Sequence, residues 1–282
     1  MNSSKQLIKS MLAKCYPSTL FRLGGGRAIP VLCYHSINVL PNHESDPLLP
    51  SLFESHLQYL KQHYVVVSLR EVAEYLASGR PLPKRAVVIT FDDGYQDNYE
   101  VAFPLLKKYD LHATIFVVTG FINGELALNP EPGWGAMTWE QVRDMDASPY
   151  AEIGAHTDTH QILSSLDDSA VINEVQKSKA MLQNELGRDV DLFAYPNGQG
   201  ADIPPVAIRE VKNLGFLGAC STFWRTTQHP NQRFLINRVM ISSQDDIQTF
   251  AHKLAGRYDY LYFVHKINAI INRVIFKKGI WR

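Results

Sequence analysis

The stretch AVVITFDDGY, residues 86–95, joins an uncharged apolar run to two adjacent carboxylates, Asp92 and Asp93. The run is rich in β-branched and aromatic residues, which predicts a strand buried on both faces, as in a parallel sheet. Functional groups in such sheets gather at the carboxyl ends of the strands, where the loops converge. Because neighbouring like charges repel, the pair predicts a site in which the two aspartates have separate tasks.

Runs with the same strand pattern recur along the chain, and helical patterns lie between most of them. With 86–91 they give eight predicted strands, the others being 29–35, 64–68, 112–118, 151–156, 190–195, 216–221 and 236–242. The ends of the helices are marked by capping boxes and by glycines, namely Ser51 with Glu54, Ser68 with Glu71, Thr138 with Gln141, Gly187 and Gly215. Alternating strands and helices predict an α/β fold, either a (β/α) barrel or an open doubly wound sheet.

The composition favours one catalytic domain between two basic ends. The chain has 282 residues, 45% of them apolar, and its formal net charge of zero argues against bulk attraction to nucleic acid. Residues 1–27 hold five Lys or Arg and no acid, and residues 252–282 hold seven with one acid. We therefore predict a basic segment 1–28, a catalytic domain 29–250 and a basic amphipathic helix 251–282.

The basic ends also bear on location. No apolar run approaches the roughly 20 residues that span a bilayer, and Lys9 and Lys14 interrupt any signal-like segment near the start. The three cysteines, Cys15, Cys33 and Cys220, are too scattered for a disulfide framework. We expect a cytoplasmic protein whose basic ends contact the inner face of the cell membrane peripherally.

The segment HTDTH places His156 and His160 four residues apart, directly after the predicted strand 151–156. This spacing brings two imidazoles to one side of a turn, and with one carboxylate they form a three-ligand set suited to catalytic zinc, with cobalt or nickel as alternatives. A non-haem iron oxygenase uses the same ligand types. The second aspartate and the alternation of strands and helices favour a hydrolase instead.

TFDDGY and HTDTH together resemble the first two motifs of the polysaccharide deacetylases, the NodB-like carbohydrate esterases. The resemblance covers residues 29–245 and implies an irregular (β/α) barrel of about seven strands. It also implies roles for the site residues. Asp92 would be the general base, and Asp93 would bind a divalent metal ion together with His156 and His160.

The third motif of the family departs from its usual form. The segment FAYPNG, 193–198, lacks the arginine that steadies the catalytic aspartate in relatives, and we name Arg238 as the candidate to replace it. The resemblance implies that Tyr195, Pro196 and Asn197 bind substrate and that the Asn197 N–H helps to hold the oxyanion. Alternatively, Pro-Asn-Gly is a turn that only reverses the chain.

A general-acid histidine is expected early in the chain. Poly-N-acetylglucosamine deacetylases have a circularly permuted motif order, with this histidine in a Tyr-His-x-Ile segment, and CYHSI, 33–37, matches that form. The resemblance therefore assigns the acid to His35. The alternatives are a buried structural histidine at this position, or the same role for His265.

These residues predict a metal-dependent hydrolase that removes N-acetyl groups from an amino sugar, in a glycan or a lipid-linked saccharide of cell-surface polysaccharide synthesis. Removal of O-acetyl or formyl groups would use the same centre. A third possibility is an inactive relative that only binds sugar. Trp134 and Trp139, in or beside the long loop 121–137, are candidates to stack on a sugar ring or to pack internally.

Overall fold

The computed structural model describes residues 26–39, 47–129 and 133–264. Its centre is a curled parallel sheet with the strand order β10-β2-β4-β5-β6-β7-β8, and β3 pairs with the first part of β4. A separate antiparallel ribbon joins β1 to β9. The strands are β1 Arg27–Ala28, β2 Val31–Tyr34, β3 Val65–Val66, β4 Ala86–Phe91, β5 Ala113–Val117, β6 Ala151–Ala155, β7 Leu192–Ala194, β8 Gly218–Cys220, β9 Thr227–Gln228 and β10 Val239–Met240.

The two ends of the curled sheet are joined by backbone hydrogen bonds. Ile236, just before β10, forms a parallel bridge with Cys220 of β8. Its N–H donates to Ala219 at 2.8 Å, and its carbonyl accepts from the Ser221 N–H at 2.9 Å. The predicted irregular (β/α) barrel of about seven strands is therefore confirmed, and so are all eight predicted strands. The β1–β9 ribbon was not predicted, because no local pattern marks a pairing between segments as far apart in sequence as Arg27–Ala28 and Thr227–Gln228.

Helices follow most of the strands, as the alternating pattern predicts. A π-helical turn, Asn98–Ala102, leads into α3. Two short 3₁₀ turns occur at Leu163–Ser165 and Pro230–Gln232. The helices are α1 Pro50–His63, α2 Leu69–Ser78, α3 Phe103–Tyr109, α4 Thr119–Ile122, α5 Trp139–Asp146, α6 Asp168–Leu186, α7 Pro205–Asn213 and α8 Ile247–Leu254.

Two of the three predicted capping boxes are confirmed, those of Ser68 with Glu71 and Thr138 with Gln141. The third is wrong, because α1 begins at Pro50 after Leu49 and has no side-chain cap. Proline at the first helical position has the φ of a helix and no N–H that needs an acceptor, so it starts the helix one residue before Ser51 could cap it.

Side chains of α2 fill the barrel interior at the amino-terminal ends of the strands. The interior becomes polar toward the carboxyl ends. Val31, Val88 and Leu192 form an apolar layer with side chains of α2. In β6, Gly154 leaves room for the Phe116 ring, since a Cβ there would lie 2.6 Å from that ring. Alternation along the strands places Cys33, one layer above Val31, on the same inner face.

Both predicted terminal segments lie mostly outside the described residues. Of segment 1–28, the structure describes residues 26–28, and Arg27 and Ala28 form β1. Of segment 251–282, residues 251–254 complete α8, residues 255–259 form a turn and residues 260–264 are helical. Within the described ranges, no helix combines the length and the apolar character needed to cross a bilayer.

Candidate metal and acid–base site

The three predicted metal ligands lie together at the carboxyl ends of β4 and β6. Asp93 Oδ1 is 3.7 Å from His156 Nε2 and 3.4 Å from His160 Nε2. Among the described residues this oxygen is buried and has no hydrogen-bond partner. Ligand atoms at about 2.0–2.2 Å from one zinc ion are separated by such distances in tetrahedral geometry. The donor set therefore fits a small divalent cation.

Left-handed backbone conformations turn these side chains toward one another. Asp93, Thr157, His160 and Asn197 have φ values of 78°, 64°, 57° and 56°. Each such non-glycine residue costs on the order of 1–3 kcal/mol and persists only where the surroundings enforce it. All four directly follow or lie close to the carboxyl ends of β4, β6 and β7. Among the described residues two other non-glycine positions, Arg85 and Asp110, also have positive φ, so four of six such residues lie at the site.

His156 is fully buried and oriented by the neighbouring strand. Its Nδ1 lies 2.8 Å from the carbonyl oxygen of Ala194. A carbonyl can only accept, so Nδ1 carries the hydrogen, and the lone pair of Nε2 points toward Asp93. Burial lowers the pKa of His156 to about 4. The imidazole is therefore neutral at physiological pH, as a metal ligand must be.

The turn that carries both histidines is clamped by α6. The Glu174 carboxylate accepts the N–H groups of Asp158 and Thr159 at 3.1 and 2.9 Å, and the Thr159 hydroxyl at 2.7 Å. Lys177, one turn further along α6, donates to Asp158 at 2.6 Å, and the Thr119 hydroxyl donates to the other oxygen of that carboxylate at 2.7 Å. These contacts fix the backbone between the two imidazoles.

Asp92 has a partner that its neighbour lacks. Arg238 donates two parallel hydrogen bonds to the Asp92 carboxylate, at 2.6 and 2.7 Å, and its Nε donates to the Ser221 carbonyl at 3.1 Å. Burial alone would raise the pKa of Asp92, but the Arg238 guanidinium and nearby His156 hold it well below its usual range. Arg238, which lies 146 residues after Asp92 in the sequence, thus supplies the arginine that is missing from the third motif.

The predicted general acid, His35, lies beside Asp92. A ring nitrogen of His35, the Cys33 sulfur and an Asp92 oxygen all lie within 4.8 Å of one another. The Cys33 thiol, buried inside the barrel, donates to Asp92 Oδ2 at 3.3 Å. His35 itself is only partly buried. His265, the alternative acid, lies outside the described residues.

Two residues of the π-helical turn region hold the backbone around His35. The Asp97 carboxylate accepts the Ile37 N–H at 3.1 Å and the Ser36 hydroxyl. The Asn98 amide donates to the His35 carbonyl at 2.8 Å. Both side chains are buried, and both follow the Asp92–Asp93 pair within six residues. The DDGYQDN segment, which follows β4, therefore also holds the backbone that follows β2.

The three residues of the third motif differ in what they can reach. Tyr195 is fully buried in the core, and burial raises the pKa of its phenol. Its side chain has no exposed surface, and the substrate contact of Tyr195 stays a prediction. Pro196 is also buried. Asn197 is exposed, donates to Asp202 at 2.7 Å, and accepts the Thr222 hydroxyl at 2.5 Å through its carbonyl.

The two candidate tryptophans also differ. Trp134 is buried and packs edge-on against Tyr95 with ring centroids 5.3 Å apart, so it is a packing residue. Trp139, at the start of α5, is only partly buried, and its indole N–H donates to Asn123 at 2.8 Å.

Sequence reasoning did not identify Glu174, Asp97 or Cys33. A usable signal existed for Glu174, because it interrupts the apolar face formed by Val171 and Val175 of α6. An acid on the buried face of a helix needs a polar partner. Asp97 and Cys33 carried no comparable signal, since their partners are far away in the sequence.

Two surface pockets of about 410 and 480 Å³ lie at the opposite end of the barrel. Lys61, His112 and Tyr150 contribute to the first, and Asp191, Lys212 and Phe234 to the second. Neither includes a residue of the cluster described above. The chemistry lies at the carboxyl ends of the strands, where the titratable groups converge.

A parallel barrel with paired carboxylates and two imidazoles at the carboxyl ends of its strands has the architecture of a hydrolytic enzyme. The model of the family described as polysaccharide deacetylase matches residues 79–219. A Bacillus subtilis protein assigned to the polysaccharide deacetylases, YxkH, is 32% identical over 215 residues, covering 76% of this chain and 71% of its own. The chain belongs to the polysaccharide deacetylase family, and the protein is a deacetylase.

Two further relatives agree with this assignment. The poly-β-1,6-N-acetyl-D-glucosamine N-deacetylase of Staphylococcus aureus is 30% identical over 219 residues, covering 74% of this chain and 71% of its own. The solved structure of the Streptococcus pyogenes deacetylase PplD in complex with acetate is 26% identical, with a TM-score of 0.71, and the match covers 81% of this chain and 99% of that one. The family resemblance is thereby confirmed, and the oxygenase alternative is wrong.

Proposed function

We propose that this protein removes N-acetyl groups from the amino sugars of a poly-N-acetylglucosamine-type glycan, using a divalent cation held by Asp93, His156 and His160. The observation that carries the proposal is the buried Asp93 Oδ1, without a hydrogen-bond partner among the described residues and 3.4–3.7 Å from two imidazole nitrogens. Such an oxygen is costly to bury unless a cation or donor joins it. The name of the Staphylococcus aureus relative supports the choice of substrate.

The cation would supply Lewis-acid chemistry, lowering the pKa of a water molecule toward about 7 and polarising the acetyl carbonyl. Zinc is the favoured ion, because two imidazoles and one carboxylate form a common catalytic zinc set. Cobalt and nickel have related ligand preferences. The neutral state of His156 and the fixed direction of its Nε2 lone pair prepare the site for binding.

Asp92 would take the proton from the attacking water. Its low pKa keeps it ionised, and the two hydrogen bonds from Arg238 fix the plane of the carboxylate. Arg238 occupies one lone pair on each oxygen and Cys33 donates to the other lone pair of Oδ2, so Oδ1 keeps a second lone pair to accept the proton. Arg238 is therefore a positioning residue: it holds the base without blocking it.

His35 would protonate the leaving nitrogen. An amide needs this step, since an amine anion is a very poor leaving group, and general acid catalysis typically contributes about 10²–10⁴-fold. The position of the only partly buried His35 beside Asp92 supports this role. The N–H of Asn197, on the exposed turn after β7, is our candidate to stabilise the oxyanion, a contact typically worth about 2.7–4 kcal/mol.

The decisive experiment measures acetate released from poly-β-1,6-N-acetylglucosamine oligomers by chelator-treated protein, before and after zinc, cobalt or nickel is added. We expect release only with metal, and none from Asp92→Asn prepared in parallel. Release of formate, or of acetate only from O-acetylated sugars, would replace the N-acetyl proposal by one of its alternatives. Oligomer binding without release by any metal-loaded form would favour an inactive sugar-binding relative.

The location of the protein is a further part of the proposal. We propose peripheral contact between the basic terminal segments and an anionic membrane surface, which would bring the site close to a membrane-linked glycan. Co-sedimentation with anionic and with neutral vesicles, at low and high salt, tests this. Equal sedimentation with both vesicle types would reject it.

A further inference from the structure

A second group of metal-ligating side chains lies beside the first. Cys33, His35 and Asp92 each offer one ligand atom, and these atoms lie within 4.8 Å of one another. The group shares no residue with the Asp93, His156 and His160 set. Asp92 Oδ2 is nevertheless only 3.9 Å from His156 Nε2, so the two groups adjoin.

We propose that Cys33, His35 and Asp92 form a second, thiolate-containing binding site for a divalent transition metal ion. The sulfur and the carboxylate face each other inside the barrel at 3.3 Å, and a ring nitrogen of the partly buried His35 lies within 4.8 Å of both. Thiolate, imidazole and carboxylate together match the preferences of zinc, and three protein ligands leave a further position for water.

The Arg238 guanidinium is compatible with this site, although it lies close to it. It uses one lone pair on each Asp92 oxygen, and the second lone pair on Oδ2 faces Cys33. A bound cation would replace the proton that Cys33 donates to Asp92: the S–H bond breaks, the sulfur–metal bond forms, and the proton passes to solvent. The thiolate and carboxylate charges then offset the cation beside Arg238.

The two sites would differ in the softness of their ligand atoms and in the order in which they bind metal ions. The Asp93, His156 and His160 set has an imidazole that is oriented by the Ala194 carbonyl, and it needs no thiol proton to leave. At the second site the Cys33 thiol donates to Asp92 and Arg238 pairs with the same carboxylate, so a cation must displace the thiol proton and share Asp92 with the guanidinium. The second site therefore fills after the first, at higher metal concentration.

Filling the second site would inhibit the reaction, a consequence that rests on the proposed function. The cation would replace the thiol proton at Asp92 Oδ2, which lowers the basicity of the carboxylate, and would occupy the ring nitrogen of the acid, His35. Neither could then transfer a proton. Excess zinc should thus reduce acetate release by the wild type after one equivalent has restored it.

The binding itself is tested without activity, by titrating metal-free full-length protein with Co²⁺. A thiolate-to-cobalt charge-transfer absorption should appear with the second equivalent but not with the first, since the first site has no sulfur. Elemental analysis after gel filtration should give two metal ions per wild-type chain and one for Cys33→Ala. Cys220→Ala is the matched control, because Cys220 is the other buried cysteine of the described residues, and it should keep both ions and the absorption.

Absence of this absorption at saturating cobalt, or its survival in Cys33→Ala, would overturn the proposal. If Cys33→Ala does not fold, His35→Ala replaces it, because His35 is less buried than Cys33. His35→Ala should weaken the second equivalent at least about tenfold and leave the first unchanged; unchanged affinity for the second would also overturn the proposal. The absorption decides the binding even for a protein that releases no acetate, so the two proposals fail separately.

Discussion

Asp92 and Asp93 are neighbours in sequence with opposite surroundings. Asp92 is bound by both arms of Arg238, whereas Asp93 has an oxygen that is buried and unpaired within the described part of the chain. A carboxylate already paired with arginine attracts a cation less strongly than an unpaired one, so the first ion binds at Asp93. The division of tasks between base and ligand therefore follows from their environments.

Asp92→Asn tests this division. Asparagine has nearly the same shape but cannot accept a proton at neutral pH, so we expect acetate release to fall at least about 10²–10⁴-fold. Bound metal, measured by elemental analysis, should remain near one equivalent. Asp93→Asn is the matched control and should lose metal as well as activity. Metal loss in both variants alike would contradict the division.

Arg238→Met should leave the Asp92 charge buried without its partner. Removing one member of a buried ion pair typically costs about 3–5 kcal/mol, and denaturant unfolding of chelator-treated protein at pH 7 measures it. Because the pKa of Asp92 is lowered in the native state, the contribution of the pair is complete above the ordinary carboxyl pKa of 3.8 and declines as pH falls below it. The difference from wild type should therefore shrink in acid.

Two further variants sharpen the Arg238 prediction. Arg80→Met, at an arginine whose side chain is 67% exposed, should change stability little. Combining Arg238→Met with Asp92→Asn should recover much of the loss, because no uncompensated charge remains. A deficit that is the same at pH 7 and pH 3 would mean that Arg238 acts through packing instead of charge.

His35→Ala should affect substrates according to their leaving groups. We expect amide cleavage to fall by about 10²–10⁴-fold, while hydrolysis of an activated acetyl ester, whose leaving group needs no proton, falls much less. The two kcat/KM values, measured on the same metal-loaded preparation, make the comparison. His63→Ala, at an exposed histidine near the end of α1, serves as control. An equal loss on both substrates would argue against acid catalysis.

At the scale of elements, the site depends on hydrogen bonds between the residues that follow one strand and a different element, either a helix or the turn after another strand. Strand β6 delivers His156, but the turn that returns His160 toward it is held by Glu174 of α6. Strand β2 delivers His35, and the turn after β4 holds its backbone through Asp97 and Asn98. Each loop is thus fixed by buried hydrogen bonds to a rigid element, which limits the mobility of the ligands.

Glu174→Ala tests the clamp on the histidine turn. It leaves the N–H groups of Asp158 and Thr159 without their acceptor, so the His156–His160 geometry should loosen. We expect metal affinity to fall about 10–100-fold, as for other residues that orient ligands, measured by competition with a chromophoric chelator. Glu185→Ala, on the same helix and paired with Arg143, should leave affinity unchanged. Equal affinities in both variants would refute the clamp.

At the scale of the whole molecule, the cation site joins loops from separate parts of the barrel. Asp93 follows β4 and both histidines follow β6, so a bound ion would link two strand ends of the native state. An ion that binds only the native state stabilises it by RT ln(1 + [L]/Kd), about 2.7 kcal/mol at 100 times Kd. Stability should therefore depend on metal concentration.

Thermal unfolding with increasing zinc measures this linkage. We expect the Tm of the wild type to rise with zinc and to fall again with chelator, and that of His156→Ala to respond much less. His112→Ala, a histidine at the opposite end of the barrel, is the control and should respond like the wild type. A zinc-dependent rise of equal size in His156→Ala would mean that the stabilising ion binds elsewhere.

Much of the barrel was predictable because strand and helix signals are local. The apolar run 86–91 and the capping box of Ser68 with Glu71 each lie within a few residues, and both formed as predicted. The capping box at Ser51 failed for an equally local reason, the proline before it. The close approach of Asp93, His156 and His160 was also predictable, because the carboxyl ends of parallel strands meet at one face of a barrel.

Sequence alone determined the α/β alternation, the strand ends that carry chemistry and the residue types available for a metal ion, since these depend on periodicity and on neighbours along the chain. Only the tertiary structure decided which groups became partners. Arg238 meets Asp92 across 146 residues, and Tyr195 turns into the core while Asn197 stays outside. Barrel closure sets these contacts, because it brings β10 beside β2 and fixes which side chains share the interior.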